Sequence, residues 1–547
     1  MSRCFFPRVA FRSMVLGSII VTSNSCMLFP KHRDLHGKTV PQEKLRQMSP
    51  LKLEKAKEEK QPIIDINETP PPTLELSLER CRAMALQNNL ELRATLINPT
   101  IAAERVNEER ARFEATFTAG ASKSKSDRPS INRQSEIQGT QDERESLSVG
   151  LSQPLVTGGT ASISLNDSKT ETDAANSVFN PFFASGSQFS FSQPLLRNAG
   201  TRTLTYGIRL ARYQRQITDA QTKLAVMSIL ANVDRVYWRL YAARQVLEVR
   251  RQQYELAQSQ LEQAQRLVDS GERAQIEILR AEAGVAGSLE SIIIAENSLR
   301  DRERELKRVI NRKNLEMQTE TTVTPSTEPV PYRYAIDSDQ LVRTAMENRM
   351  EILVLELQIL EDLDTVDFRK NAALPLISFD YRYNVNAFGA NRRDSYDILE
   401  RNQFADHFFG LSAQIPVGNR AAKSRLQQAR LQRFQRLSTK KNREGLITLE
   451  VLNAGDQLEA NWQRILASGQ NVIVSGRLYE AEKRQFGLGL RTSTEVFDAQ
   501  TNLADAQLAE LSALVEYQIA LVDLAYATGT LLGAANVEWE PINLGMN

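Results

Sequence analysis

The 547-residue sequence is poor in the side chains that most catalytic and metal sites need, with only three cysteines and three histidines. Cys4, Cys26 and Cys81 have neither the number nor the spacing of a disulfide framework or a cysteine-based zinc site. Cys81 falls in a helical pattern and reads as a packed residue. His32, His36 and His407 are too scattered to cluster, so no metal and no cofactor is expected. A phosphate-cradling Gly-Lys-Ser/Thr loop is missing too. So is an excess of charge of either sign, with 68 basic against 67 acidic residues, which removes any general pull toward nucleic acid. Mean hydropathy is negative, and no run beyond residue 30 approaches the roughly 18–20 apolar residues of a transmembrane helix. A polytopic helical membrane protein is therefore excluded. A β-barrel is not, because its lipid face takes only every second strand residue.

What is present begins with a secretory pattern. Arg3, Arg8 and Arg12 precede an apolar stretch from Met14 to Val21, which exits at Ser23-Asn24-Ser25-Cys26. Residues 1–26 read as a signal peptide. Cys26 stands where the acylated first residue of a bacterial lipoprotein stands, although Ser23 replaces the Leu of a lipobox; an ordinary cleavage site with an incidental Cys26 is the alternative. Residues 27–72, rich in Lys, Glu and Pro, read as an extended charged leader.

The rest is built twice. Leu86–Leu92 and Met346–Ile352 follow helical patterns with Asn88 and Asn348 in register, an offset of 348 − 88 = 260. Gly271–Glu282 aligns with Gly489–Gln500 at a smaller offset, 489 − 271 = 218. The first half must hold about 40 more residues, and near-copies locate them: Leu151-Ser152-Gln153-Pro154-Leu155 and Phe191-Ser192-Gln193-Pro194-Leu195. The second half has one equivalent, Ala413-Gln414-Ile415-Pro416-Val417. An added strand hairpin near 154–194 is expected. The divisions are a first repeat over 73–315, a linker over 316–333, a second repeat over 334–533 and a tail over 534–547.

Within each repeat the hydrophobic period changes. Leu147, Val149 and Leu151 alternate with small polar residues, as do Phe189 and Phe191, the stripe Ile377, Phe379, Tyr381, Tyr383 and Val385, and the run from Phe409 to Ile415. Such strands suit a sandwich edge or a barrel wall, and alternation alone favours the former. The helical parts shift the balance. Residues 201–268 contain no Pro and one Gly. Heptad spacing runs through Leu247, Tyr254, Leu261 and Val268, with Ala257 and Ala264 on the same seam, which predicts a rod on the order of 100 Å. Its returning partner is expected to offer Ile276, Leu279, Ala283, Ala286, Ile293 and Leu299, and a second hairpin pairs 420–486 with 492–530. A hairpin of that length cannot bury both faces alone and should assemble with copies of itself.

In the duplication, the Gln-Pro-Leu segments between strand and helix, and the two Gly-centred turns, residues 73–533 resemble the TolC-like outer-membrane efflux proteins. The resemblance implies a mainly α fold with a β-barrel part: duplicated long antiparallel coiled-coil hairpins, plus strands contributing to a shared trimeric transmembrane barrel. It implies a homotrimer in the bacterial outer membrane with helices in the periplasm, acting as the passive exit duct of a tripartite efflux or secretion system. A periplasmic adaptor protein and an inner-membrane transporter would be its partners. The added hairpin departs from the usual four strands per protomer; it could widen the barrel, extend it outward or fold over its mouth. Glu495 and Asp498 match the family's acidic rings at the periplasmic entrance, and Arg491 matches an Arg whose ionic contacts hold that entrance shut. Phe486 falls where an aromatic hydroxyl bonds, which Phe cannot do. The turns at Gly271, Arg273, Gly489 and Arg491 would receive the adaptor. Read without the resemblance, Glu495 and Asp498 could simply complement a helix dipole. The competing function is a secreted coiled-coil scaffold with a soluble β cap. An enzyme is not expected, because a carboxylate pair without a substrate cleft supports no glycosidase chemistry.

Overall fold

A computed structural model of the chain describes residues 72–131, 137–173 and 179–537. The expected signal peptide with Cys26, the expected leader up to residue 71 and the tail from 538 lie outside them. The elements in order are β1 (Thr73–Leu76), α1 (Leu78–Asn88), α2 (Leu90–Thr95), α3 (Asn98–Ala111), β2 (Thr116–Ile131), β3 (Ile137–Pro154), β4 (Thr160–Thr172), β5 (Phe182–Pro194), α4 (Tyr206–Asp269), α5 (Ile276–Ile310), β6 (Thr322–Pro325), α6 (Ser338–Asn348), α7 (Met350–Ala372), β7 (Leu376–Gly389), α8 (Arg392–Glu400), β8 (Ala405–Gln414), α9 (Arg420–Gly487) and α10 (Ser493–Ala527). The chain is mainly helical. Among the described residues no helix is long and apolar enough to cross a membrane.

α4 has 64 residues and α9 has 68, so each rises on the order of 100 Å. The short helices ahead of them end alike. Asn88 closes α1 by donating from Nδ2 to the Met84 carbonyl (3.0 Å), and Asn348 closes α6 on the Thr344 carbonyl (2.8 Å). The main core lies around the middle of α4, where Leu230, Val233, Tyr237 and Leu240 pack with Cys81 and Ala85 of α1, Leu306 and Ile310 of α5, and Val522 of α10. The Tyr237 hydroxyl donates to the Leu76 carbonyl and accepts from the Thr327 N–H, tying in β1 and the segment after β6. Burial, reinforced by Asp234, pushes the Cys81 thiol up to about 12, so it is an inert packing group.

One face was misassigned from periodicity. Ile276, Leu279 and Ile293 of α5 are exposed, at 49, 59 and 57%, rather than packed on α4. Between Ile278 and Arg302 the buried positions are Ala281, Ser288 and Ala295, seven residues apart. Small residues on this seam, with Ala257 and Ala264 buried on α4, let the two backbones approach closely. The large side chains are left on the outer face. Two heptad stripes coexist on α5, and composition points to the wrong one because the larger hydrophobes carry the stronger signal.

Beside a small parallel sheet of β1 and β6, the main sheet is six-stranded in the order β2-β3-β4-β5-β7-β8, and every neighbouring pair in it is antiparallel. Its alternation separates two faces. Leu151, Ile163, Phe189 and Tyr383 share an apolar rung, and Ser152, Ser162, Ser190 and Arg382 share the next, polar one. Ser122–Ser146, Ser162–Ser190 and Ser378–Ser412 hydroxyl pairs stitch the polar face at 2.6–2.8 Å. α8 lies against β5 and β7, where the buried Ser395 hydroxyl donates to Ser185 Oγ (2.8 Å) and Arg392 lies 3.0 Å from Asp167.

Candidate functional site

Both long hairpins turn through the same device. After α4, the Gly271 N–H bonds to the Val268 carbonyl and the Glu272 N–H to the Leu267 carbonyl; after α9, Gly489 bonds to Phe486 and Leu490 to Gln485. Each pair forms a Schellman cap. The two glycines take φ +75° and +84°, a left-handed conformation that a side chain would strain.

The turns are also clasped together. Arg273 donates from Nη2 to the carbonyls of Phe486 (2.9 Å) and Arg491 (2.8 Å), and its guanidinium lies over the Phe486 ring at 5.0 Å. Phe486 is fully buried, so it serves as ring and carbonyl where a hydroxyl was to be missed. Glu277 accepts from the Ser493 N–H (2.8 Å) and pairs with Arg280 at 2.6 Å. It thereby caps the first turn of α10 from another helix. Burial raises the Glu277 carboxyl, but Ser493 and Arg280 outweigh it and hold the group below the usual carboxylate range.

Arg491 and Glu495 are brought together, with Nη1 2.7 Å from Oε1. Arg491 also donates to Gln485 Oε1 and lies 3.0 Å from Glu482. Glu495 Oε2 accepts from the Thr492 N–H at 2.7 Å. That bond first, then the Thr492 hydroxyl and Arg491, keep its carboxyl low. Asp498, one turn on, is exposed and makes no hydrogen bond or ion pair among the described residues. The two carboxylates thus differ: Glu495 is spent on its own helix start and Asp498 is free. Sequence reasoning missed Glu277 and the clasping role of Arg273, although the signal was present. In the 218-residue alignment Arg273 and Glu277 fall on Arg491 and Glu495. One copy of the Arg-Glu pair caps its own helix, and the other reaches across to its neighbour.

Beneath the turns, Ala264, Ala281, Tyr479, Phe486, Val496 and Ala499 form a small core, and the Phe497 ring sits on Gly284. A Cβ at Gly284 would lie 2.1 Å from that ring. Gly284→Ala gains up to about 1 kcal/mol of helix propensity but should lose about 1–3 kcal/mol by displacing the ring. It is therefore expected to lower the thermal midpoint of the native protein and to raise it in a Phe497→Ala background. The same sign in both backgrounds would remove the contact from the account.

A family model described as outer membrane efflux protein matches residues 185–312 and 341–530. The outer membrane protein TolC of Vibrio cholerae is 22% identical over 348 residues, 62% of this chain and 76% of that one. Among solved structures, the outer-membrane channel OprN superposes with a TM-score of 0.63 at 14% identity, over 83% of this chain and 90% of that chain. The outer membrane protein VceC from Vibrio cholerae does so with 0.62 at 13% identity, over 83 and 96%. The structural likenesses carry the fold. With the family model spanning parts of both halves and more than half of the sequence, the chain belongs to the outer membrane efflux protein family.

Proposed function

We propose that three copies of this outer-membrane efflux channel chain form a passive duct, fed from the periplasm by an adaptor protein and an inner-membrane transporter. The observation that carries this reading is the joining, in one chain, of a two-faced antiparallel sheet to helices on the order of 100 Å long that end in two clasped turns. An apolar face for lipid and a polar face for water are what a barrel wall requires. The turns, with Leu488 and Leu490 exposed at 74 and 72%, offer apolar tips for an adaptor beside Gly489, Arg491, Gly271 and Arg273. A scaffold with a soluble cap gives no reason for Phe117, Phe409 and Leu411 to stand exposed on the sheet.

The expected result of membrane fractionation is recovery with the outer membrane and a cross-linked trimer after detergent extraction. A soluble monomer would sink the proposal. At the entrance, Asp498 carries the acidic-ring charge that no cation of its own chain pairs among the described residues, whereas Glu495 shares the Arg491 guanidinium with Glu482. Asp498→Asn should weaken block by multivalent cations in planar bilayers with little change in stability, since exposed sites away from special contacts usually stay within about 0.5 kcal/mol. Glu495→Gln should change block less, because Gln still accepts from the Thr492 N–H in the capping box while losing the Arg491 ion pair. Equal block in native and Asp498→Asn channels would take this residue out of the pore.

A further inference from the structure

The two Gln-Pro-Leu copies are used alike. Gln153 ends β3 by donating from Nε2 to the carbonyls of Pro154 (3.0 Å) and Phe113 (2.5 Å), the latter just ahead of β2. Gln193 ends β5 by donating to the carbonyls of Pro194 (2.8 Å) and Thr157 (3.1 Å), the latter just ahead of β4. β2–β3 and β4–β5 are therefore two copies of one hairpin, each stitched from its exit to its entry. The second copy lies within the sheet. β4 pairs with β3 from Thr160↔Pro154 to Thr172↔Asp142, and β5 pairs with β7 from Pro194↔Ser378 to Phe183↔Gly389. Pairing starts at the helix-proximal end, which an outward extension would leave empty, and continues along both strands, which a flap over the mouth would have to break.

We propose that the added hairpin is part of the membrane wall, so that six strands from each of three copies close an 18-stranded barrel with β8 of one copy pairing with β2 of the next. This rests on the trimeric duct proposed above. Six antiparallel strands leave β2 and β8 running in opposite directions, so the edges of two copies meet antiparallel. The edges also match face for face. Phe117 and Ala119 at one edge, and Phe409 and Leu411 at the other, lie on the apolar side. β8 is exposed along nearly its whole length, and an open ladder cannot face lipid, where every unpaired backbone group is costly. At a strand spacing of about 4.8 Å and a tilt of about 40°, eighteen strands give a backbone diameter of roughly 36 Å, against roughly 24 Å for twelve. A backbone cylinder about 1.5-fold wider, its lumen lined by Ser and Asn side chains, passes bulkier hydrated cargo and leaves the helical turns as the narrowest point.

Imaging the full-length trimer in lipid nanodiscs tests this directly. Eighteen wall strands are expected. Twelve wall strands with residues 160–194 outside the wall would overturn the proposal while leaving the trimeric duct standing, and monomers without a closed barrel would defeat the duct itself. Deleting residues 155–194 joins Pro154 to Leu195 and restores a single Gln-Pro-Leu segment. With graded polyethylene glycols added from the extracellular side in planar bilayers, the full chain should admit polymers with a radius larger by at least about 1.5-fold than the deletion variant does. Equal cutoffs would overturn the proposal.

Discussion

Arg82→Ala is expected to destabilise the protein by about 3–5 kcal/mol, the range for removing one partner of a buried ion pair. Arg82 binds Asp234 through two parallel bonds, Nε to Oδ1 and Nη2 to Oδ2, each 2.7 Å. Asp234 is completely buried in α4 beside Val233, Leu230 and Tyr237. Its carboxylate would be stranded in the main core without its partner. The pair is not itself the source of stability, because desolvating both charges offsets most of their attraction. Arg82→Met with Asp234→Leu should therefore recover most of the loss. Thermal unfolding of the purified protein decides: a double variant as damaged as Arg82→Ala would mean that the pair, rather than the stranded charge, is what matters.

Opening of the periplasmic end is the second large effect, and Arg273→Ala is the change expected to produce it. Two bonds from a charged donor, worth roughly 1.5–3 kcal/mol each, hold Arg273 to the carbonyls of Phe486 and Arg491. Losing even about 3 kcal/mol shifts a closed-to-open ratio by roughly 100-fold, which single-channel recording would register as a rise in conductance. Lysine should not restore closure, because a point charge does not hold two carbonyls as the planar fork does. Glu277→Gln keeps an acceptor for Ser493 and should give an intermediate state. The pH dependence has a definite sign. A carboxyl held low in the folded state stabilises fully above its unfolded pKa, about 4.3, and that contribution is lost as pH falls through the lower folded value. Glu277 should therefore leave the clasp unchanged between about pH 5 and 8 and loosen it only under stronger acid. Native conductance in Arg273→Ala would show that the clasp is not the gate.

Much of the helical architecture was legible because long helices write their packing into sequence. Leu247, Ala257 and Ala264 are buried where heptad spacing puts them, and Gly271 and Gly489 mark turns that demand left-handed backbone. The strands were legible only where one face is apolar. Lys123–Ser126 and Asp142–Ser146 carry no such stripe, yet they belong to β2 and β3. There the ladder comes from backbone bonds and a register inherited from Phe117 and Leu151. α8 went unnoticed because nine residues give too few turns for a period, although Asn391 accepting from the Asp394 N–H is an ordinary cap. At the turns, residue types were readable but partners were not. Whether a Glu caps its own helix or its neighbour's depends on which backbone N–H comes within 3 Å, and two aligned copies of one motif gave two answers.

The outward stripe of α5 bears on the life of a newly made chain. Ile276, Leu279, Ile293 and Ile294 are 49–63% exposed on a single protomer, so covering the rest of each would contribute about half of the roughly 1.5–3 kcal/mol of a fully buried side chain. Helical hairpins form quickly from local contacts, so this stripe is displayed before any other copy has arrived. An early protomer is thus an adhesive species whose survival depends on how soon it meets its kind. If the trimer proposed above covers this stripe, the yield of mature protein is expected to rise with the rate of encounter between chains.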